Sequence, residues 1–226
     1  MKRTFQAITI NKKDLISLIQ QTNGFLNPKI ELEQYCIDAQ SAVDIVFFAG
    51  VEFNDIKNKL VIDLGAGTGR LSIACAYLRA SYVLSVDIDI NALRILKENV
   101  KGLGLEDIVL PLCSDVNRFE IVKQVLPNKM HITTIENPPF GVQKKTADRF
   151  FLQKAFSFSD VVYSIHLANQ KVHQFLTKFI KKFNWEIDHV FPFQLKLKRT
   201  YEFHKQKTKS VDVNIYRFKR KGKENN

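Results

Sequence analysis

Four consecutive residues, Asn137, Pro138, Pro139 and Phe140, carry the most specific chemistry in this sequence of 226 residues. They follow the apolar run 131–135, which is typical of a buried strand. The prolines lack an N–H and fix φ, so they hold Asn137 rigidly at the strand exit. The side-chain oxygen of Asn137 and the carbonyl of Pro138 are two acceptors for one planar –NH2 group, and Phe140 can stack on the ring that carries it. We interpret the motif as an acceptor site for methyl transfer; the alternative is a proline-rich turn that only ends a strand.

A glycine-rich loop upstream predicts where the methyl donor binds. The apolar run 60–64 leads into Gly65, Gly67 and Gly69, and a helical pattern begins at Arg70. Glycines allow positive φ and close approach of a ligand, and the N–H groups at a helix N-terminus favour an acceptor-rich ligand. The sequence therefore predicts a nucleotide-like cofactor. A dinucleotide fingerprint would have its third glycine at position 70, so the spacing disfavours NAD.

Two acids follow the next predicted strands. Asp87 ends the strand predicted at 82–86 and lies 18 residues beyond Gly69, near the spacing of a ribose-binding carboxylate. Asp115 follows the strand predicted at 108–113, where a carboxylate can accept a hydrogen bond from an adenine amino group. The alternative for Asp115 is an ordinary turn residue, since acids are common at strand exits.

These motifs resemble, in chain order, the glycine loop, ribose acid and acceptor motif of class I S-adenosylmethionine-dependent methyltransferases. Further segments resemble the methyltransferase-like protein five family, which has archaeal and eukaryotic members and makes N6-methyladenosine in small-subunit ribosomal RNA. The resemblance spans about residues 29–218. The segments that carry it are Leu32–Tyr35, Phe140–Gly141, Asp148, Phe151–Leu152, Val162–His166, Phe203–Lys205 and Ser210–Asp212.

The resemblance implies a set of ligand-binding residues. Asn137 to Phe140 would hold the target adenine. The residues expected to bind S-adenosylmethionine are Gln34, Tyr35, Asp63, Gly65, Gly67, Thr68, Gly69, Arg70, Asp87, Asp115 and Val116. One departure concerns Cys36 and Ile37, which stand where the family usually has a proline and a cofactor-contacting threonine, so the resemblance does not carry that contact over to this chain. The resemblance also implies a small zinc-binding activator subunit of the Trm112-like type, paired with an exposed sheet edge.

Positive charge is concentrated at the carboxy-terminal end. The net charge is +11, and residues 196–226 hold eleven Lys/Arg against three Asp/Glu. Alternating apolar residues at 191–198 and 211–216 predict an antiparallel strand pair. The residues in and beside the connecting loop that we expect to bind RNA are Lys198, Arg199, Phe203, His204, Lys205, Lys207 and Lys209. The alternative is a lysine-rich loop that only aids solubility.

The whole pattern predicts an α/β fold with one methyltransferase domain over 1–226. Predicted strands alternate with helices at 91–100, 146–158 and 170–183, which is typical of a parallel sheet flanked by helices. We expect a class I methyltransferase, Rossmann-like fold: a mostly parallel seven-stranded sheet with an antiparallel carboxy-terminal strand pair. A helical preface (1–55), with helices at 13–21 and 39–49, would precede the Rossmann-like core (56–220) and a basic tail (221–226).

Composition narrows the setting. Cys36, Cys75 and Cys113 show no C-x-x-C spacing, and the five histidines are scattered, so we expect a reducing compartment and no metal. The sequence has neither an apolar run long enough to span a membrane nor a signal core after Met1, which predicts a cytoplasmic protein.

Four functions fit these observations. Adenine-N6 methylation of ribosomal RNA is favoured. Methylation of a protein glutamine at N5 is a second, because the same Asn-Pro-Pro-aromatic motif serves that planar amide in related enzymes. Methylation of DNA adenine is a third, although base-specific reading usually needs a dedicated surface that the sequence does not show. The non-enzymatic alternative is an RNA-binding assembly factor.

Overall fold

The computed structural model describes residues 10–126, 130–141, 147–198 and 208–222. The α-helices in these ranges are α1 (Lys12–Gln20), α2 (Ala39–Phe47), α3 (Arg70–Tyr77), α4 (Ile90–Gly102), α5 (Ala147–Phe158) and α6 (Gln170–Ile180). The strands are β1 (Leu60–Leu64), β2 (Tyr82–Asp87), β3 (Val109–Cys113), β4 (Ile132–Glu136), β5 (Val161–Leu167), β6 (Trp185–Lys198) and β7 (Thr208–Arg220).

The strands form one sheet of seven in the order β3-β2-β1-β4-β5-β7-β6. Strands β1 to β5 are parallel, whereas β7 is antiparallel to both β5 and β6. This arrangement confirms the predicted fold class. Because the carboxyl ends of β1 to β5 meet at one edge, that edge is where an open α/β sheet binds its ligands.

Helices cover both faces of the sheet. Helices α1 to α4 pack on one face, and Leu15 and Ile19 of α1 join the same apolar cluster as Val61 of β1. On the other face, α5 and α6 cover a second cluster in which Phe156 stacks on the fully buried Trp185, with ring centroids 4.5 Å apart. The helices that precede β1 therefore share their core with the sheet.

Several elements differ from the predicted bounds, among them β7, which spans Thr208–Arg220 where the sequence predicted 211–216. Helix α2 ends at Phe47 and continues as a π-helical turn, Phe48–Glu52. Strand β6 begins six residues before the predicted start at 191. Its first half carries charged residues that lower strand propensity, but Asp188 pairs there with Lys219 of β7 at 2.5 Å. The sequence alone does not show this compensation.

Candidate active site

The glycine loop between β1 and α3 has the backbone shape that the sequence predicted. Gly65, Gly67 and Gly69 all have positive φ, at 75°, 53° and 92°. A Cβ on Gly69 would lie 2.6 Å from the Cγ of Leu96, so the loop can approach α4 only with glycine at this position. The main chain is thereby exposed toward the ligand edge of the sheet.

Asp87 at the end of β2 fixes this loop. Its Oδ2 accepts a hydrogen bond from the N–H of Gly67 at 2.7 Å, and its Oδ1 accepts from the N–H of Asp89 at 2.8 Å. Burial raises the pKa of Asp87, and the backbone donors partly oppose the rise. A carboxylate oxygen accepts more than one hydrogen bond, so Asp87 keeps the capacity to bind ribose hydroxyls.

The preface closes over the loop through polar contacts. Asp89 accepts from Nε2 of Gln34 at 2.9 Å and from Nζ of Lys29 at 2.8 Å. On the other side, Nη1 of Arg70 donates to the carbonyl of Ile37 at 2.7 Å. Sequence reasoning missed the role of Asp89; the signal available was its position as the N-cap of α4.

The acceptor motif begins where β4 ends. Oδ1 of Asn137 accepts a hydrogen bond from the hydroxyl of Tyr35 at 2.7 Å. The rings of Phe140 and Tyr35 are stacked, with centroids 6.0 Å apart. Tyr35 therefore brings the preface into direct contact with the acceptor motif.

A cavity of about 260 Å³ joins the two halves of the site. Asn137 and Pro139 line it at one end. Its walls also contain ten of the residues predicted to bind the cofactor: Gln34, Tyr35, Gly65, Gly67, Thr68, Gly69, Arg70, Asp87, Asp115 and Val116. The volume is near the lower end of the range for ligand sites, about 300–1,000 Å³.

Asp63 was expected to bind the cofactor with its neighbours, but it does not line the cavity. Its carboxylate is buried beneath the loop, where Oδ2 accepts from the hydroxyl of Ser72 on α3 at 2.5 Å. Burial raises the pKa of Asp63 to about 7, and the hydrogen bond from Ser72 partly offsets the rise. Alternate strand residues face opposite sides of a sheet, and position 63 faces α3. The contact of Asp63 is with the helix that follows the loop.

A second buried acid, Glu136, lies directly before the acceptor motif and was not singled out in the sequence. Its Oε1 accepts from the hydroxyl of Ser164 at 2.8 Å, and Ser164 lies 2.8 Å from Nε2 of His166. Burial raises the pKa of Glu136 to about 8. Burial also lowers the pKa of His166 to about 3, so His166 is neutral at physiological pH.

Cys36, at the family's proline position, lines the cavity, and its Sγ lies 3.3 Å from Oγ1 of Thr68. Ile37 also lines it. These two residues thus occupy the cofactor side of the site with a thiol and an alkyl group, in place of the family's proline and threonine.

The predicted RNA-binding residues fall mostly outside the described part of the chain. Arg199, Phe203, His204, Lys205 and Lys207 lie in the range 199–207, which the structure does not describe. For Lys198 and Lys209 the structure describes the backbone only: they lie at the facing ends of β6 and β7.

Two features are absent from the described residues. No helix among them is both long and apolar enough to cross a bilayer. Within the same residues, no three His, Cys, Asp or Glu side chains gather into a group that could hold a metal ion.

Comparison with known proteins places this arrangement. The family model of the TRM5/TYW2 methyltransferase domain matches residues 47–137. The Methanocaldococcus jannaschii protein MJ0284 is 39% identical over 94% of this chain and 96% of its own length. The rRNA N6-adenosine-methyltransferase METTL5 of Danio rerio is 35% identical over 91% of this chain and 97% of its own length. The crystal structure of PH1948 from Pyrococcus horikoshii superposes with a TM-score of 0.82, at 37% identity, over 93% of this chain and 98% of that one.

The parallel sheet, the glycine loop tied to Asp87 and the acceptor motif at the end of β4 define a class I S-adenosylmethionine-dependent methyltransferase. These features occur together at the ligand edge. Within that class, the chain belongs to the METTL5 family of rRNA N6-adenosine methyltransferases.

Proposed function

We propose that the protein methylates N6 of an adenosine in small-subunit ribosomal RNA, using S-adenosylmethionine, in the cytoplasm. The single observation that carries the proposal is the cavity that joins the glycine loop to Asn137 and Pro139. A cofactor site and an amine-acceptor site that share one cavity would bring the methyl donor and the amine together. The three cysteines are all free, which suits a reducing compartment.

The residues present fit the cofactor. Its ribose would meet Asp87, its adenine would lie near Asp115 and the buried Val116, and its methionine end would face Arg70. When bound, S-adenosylmethionine supplies an electrophilic methyl group on a sulfonium sulfur. The buried, positively charged guanidinium of Arg70, held by the carbonyl of Ile37, suits a carboxylate.

The acceptor motif would orient the nucleophile. The lone pair of an adenine amine is delocalised into the ring, so two acceptors that favour a more tetrahedral nitrogen assist its attack. Oδ1 of Asn137 and the carbonyl of Pro138 provide them, and Phe140 supports the ring. Positioning and exclusion of water would supply most of the rate acceleration. The N–C bond would form as the bond between the methyl carbon and the sulfonium sulfur breaks, and the nitrogen would then release one proton to water.

Strand geometry supports the carboxy-terminal hairpin as an RNA-binding arm. Tyr216 of β7 is level with Ser164, and Ser164 is level with Glu136 at the end of β4. Strand β7 runs from there back to Thr208, eight residues farther on the ligand side, which is roughly 27 Å at about 3.4 Å per residue. Lys198 and Thr208, which flank the basic segment 199–207, therefore lie beyond the ligand edge. This placement favours contact with RNA over a purely solubilising role.

We further propose that the Trm112-like activator pairs with β3, at one edge of the sheet. Main-chain groups along an edge strand are available for pairing. Leu110 and Leu112 of β3 are 42% and 38% exposed, and Tyr82 beside them is 47% exposed. Such an edge offers a partner both hydrogen bonds and apolar area.

The test uses the purified protein, with and without the activator, together with methyl-labelled S-adenosylmethionine and unmodified small-subunit RNA. Digestion to nucleosides should give labelled N6-methyladenosine. Asn137→Ala should reduce the label at least 100-fold while RNA affinity stays within about twofold. Leu112→Asp should abolish stimulation by the activator and leave basal activity unchanged; Val51→Asp, at another exposed position, is the matched control.

The outcomes separate the alternatives. Label in a protein fraction instead of RNA would establish glutamine methylation. No label in either, with RNA binding intact, would establish a binding module.

A further inference from the structure

Tyr35 connects the preface to the acceptor motif through two contacts. It lies in the coil between the turn Ile30–Leu32 and α2, 102 residues before Asn137. Its hydroxyl donates to Oδ1 of Asn137 at 2.7 Å. Its ring faces that of Phe140 at an interplanar angle of 23°. The tyrosine thus meets both the hydrogen-bonding and the stacking component of the motif.

We propose that Tyr35 forms the second aromatic face of the target-adenine site, opposite Phe140, and that its hydroxyl orients the side chain of Asn137 for the incoming amine. The inference rests on the adenine-N6 methylation proposed above. It assigns Tyr35 to the target base instead of the cofactor.

The ring geometry fits a slot that is nearly closed. A base between two aromatic faces needs roughly 7 Å, twice the rise of about 3.4 Å between stacked bases. The ring centroids of Tyr35 and Phe140 are 6.0 Å apart, a distance that includes any lateral offset of the rings, so the slot must widen by at least roughly 1 Å. Tyr35 lies on a coil, and a coil adjusts by this amount more readily than a strand in a sheet.

The hydroxyl has a role distinct from that of the ring. Burial raises the pKa of Tyr35, so its hydroxyl keeps its proton and acts as the donor to Asn137. An amide oxygen has two lone pairs. Tyr35 uses one of them and leaves the second for an N6–H. The hydroxyl therefore fixes the orientation of the carboxamide without blocking the amine.

The chain neighbour of Tyr35 makes a cofactor control necessary. Gln34 donates a hydrogen bond to Asp89, and the N–H of Asp89 donates one to Asp87, the carboxylate proposed to bind the cofactor ribose. A change at position 35 that disturbed this segment would weaken cofactor binding. An effect on the target base must therefore appear with cofactor affinity preserved.

The experiment compares Tyr35→Leu and Tyr35→Phe with the wild type, and uses Tyr77→Leu, at a half-buried tyrosine at the end of α3, as the matched control. The measurements are KM for the RNA, kcat, and the Kd of S-adenosylmethionine by calorimetry. Tyr35→Leu should raise KM for RNA by about 5- to 150-fold, the range for loss of one base-stacking face. Tyr35→Phe should raise it about two- to twelvefold, the range for loss of one hydrogen bond. The Kd of the cofactor should stay within about twofold, and Tyr77→Leu should match the wild type.

Other results overturn the proposal. If Tyr35→Leu leaves KM for RNA unchanged, or weakens cofactor and RNA binding in parallel, Tyr35 is not a face of the target site. If Tyr35→Leu does not fold, Tyr35→Phe decides: a change in KM outside two- to twelvefold rules out the assigned role of the hydroxyl.

Asn137→Ala in the same assay separates the role of Tyr35 from the proposed function. If that variant still makes N6-methyladenosine, the proposed acceptor site itself fails; if it is inactive and Tyr35→Leu is normal, only the role of Tyr35 fails.

Discussion

Glu136 is a buried carboxyl one residue before the acceptor motif, and its ionisation should set part of the pH dependence of stability. Burial raises its folded-state pKa to about 8, above the value of about 4.3 expected in an unfolded chain. The folded protein therefore holds this proton more tightly. The stabilisation that results is full below pH 4.3 and is lost as the pH rises toward 8 and beyond.

We expect Glu136→Gln to remove this loss. Its free energy of unfolding should be near that of the wild type at pH 5 and larger by about 1 to a few kcal/mol at pH 9. Urea unfolding at several pH values measures the difference, with Glu98→Gln on the exposed face of α4 as control. Parallel curves for Glu136→Gln and the wild type would show that Glu136 is not held protonated by the fold.

At this scale the sequence predicted best the residues that a short motif defines. Gly67, Asp87 and Asn137 occur at fixed positions relative to strand ends, so their placement follows from local spacing. Asp63 lies in the same segment, but its carboxylate accepts a hydrogen bond from Ser72 of α3 instead of facing the cavity. Glu136 and Tyr35 depend on partners far along the chain, and one sequence does not reveal such pairs.

Among the elements, the loop that joins β1 to α3 tolerates least change. We expect Gly69→Ala to destabilise the protein by about 1–3 kcal/mol, because it combines strain at a φ of 92° with a clash against Leu96. It should also weaken cofactor binding about tenfold or more. Gly102→Ala is the matched control, since a Cβ there meets open space at the end of α4. That variant should be unchanged or more stable by up to about 1 kcal/mol.

Thermal unfolding and calorimetric titration with S-adenosylmethionine measure both variants. Equal behaviour of Gly69→Ala and Gly102→Ala would mean that the loop relaxes around the added methyl group, and that its glycines are not required for the ligand.

Elements with strong periodicity were predictable and the start of β6 was not. Strands β1 and β4 are entirely buried, and β1 is a short, mostly apolar run before the glycine loop, so its place in the parallel half of the sheet was predictable from pattern. The first half of β6 holds Glu186 and Asp188. Its strand form is stabilised by pairing with β7, a contact made only after the chain has turned back.

Across the whole molecule, the positive charge at the carboxy-terminal end is not all available to RNA. Arg217 is buried and pairs with Asp55 at 2.9 Å and with Asp188. Lys219 also pairs with Asp188, and Nε of Arg220 donates to the carbonyl of Ser159 at 3.2 Å. These three cations stabilise the fold at the edge opposite the ligand site. The composition therefore overstates the charge of the proposed RNA-binding arm.

The charge that remains for RNA should be concentrated in the loop beyond the ligand edge. We expect the triple substitution of Lys205, Lys207 and Lys209 by Ala to weaken RNA binding and to flatten its salt dependence. Each lost phosphate contact reduces the slope of log K against log[salt] by about 0.7–0.9, so the slope should fall by about 2.

Substitution of Lys57, Lys101 and Lys182, which are exposed near the amino ends of the parallel strands, removes the same net charge as a control. Fluorescence anisotropy with a ribosomal RNA fragment over 50–300 mM salt measures both proteins. If the two triple variants have the same slope, net charge alone drives RNA binding and the hairpin has no specific part in it. If only the loop variant has a flatter slope, the hairpin is the surface that positions RNA over the acceptor motif.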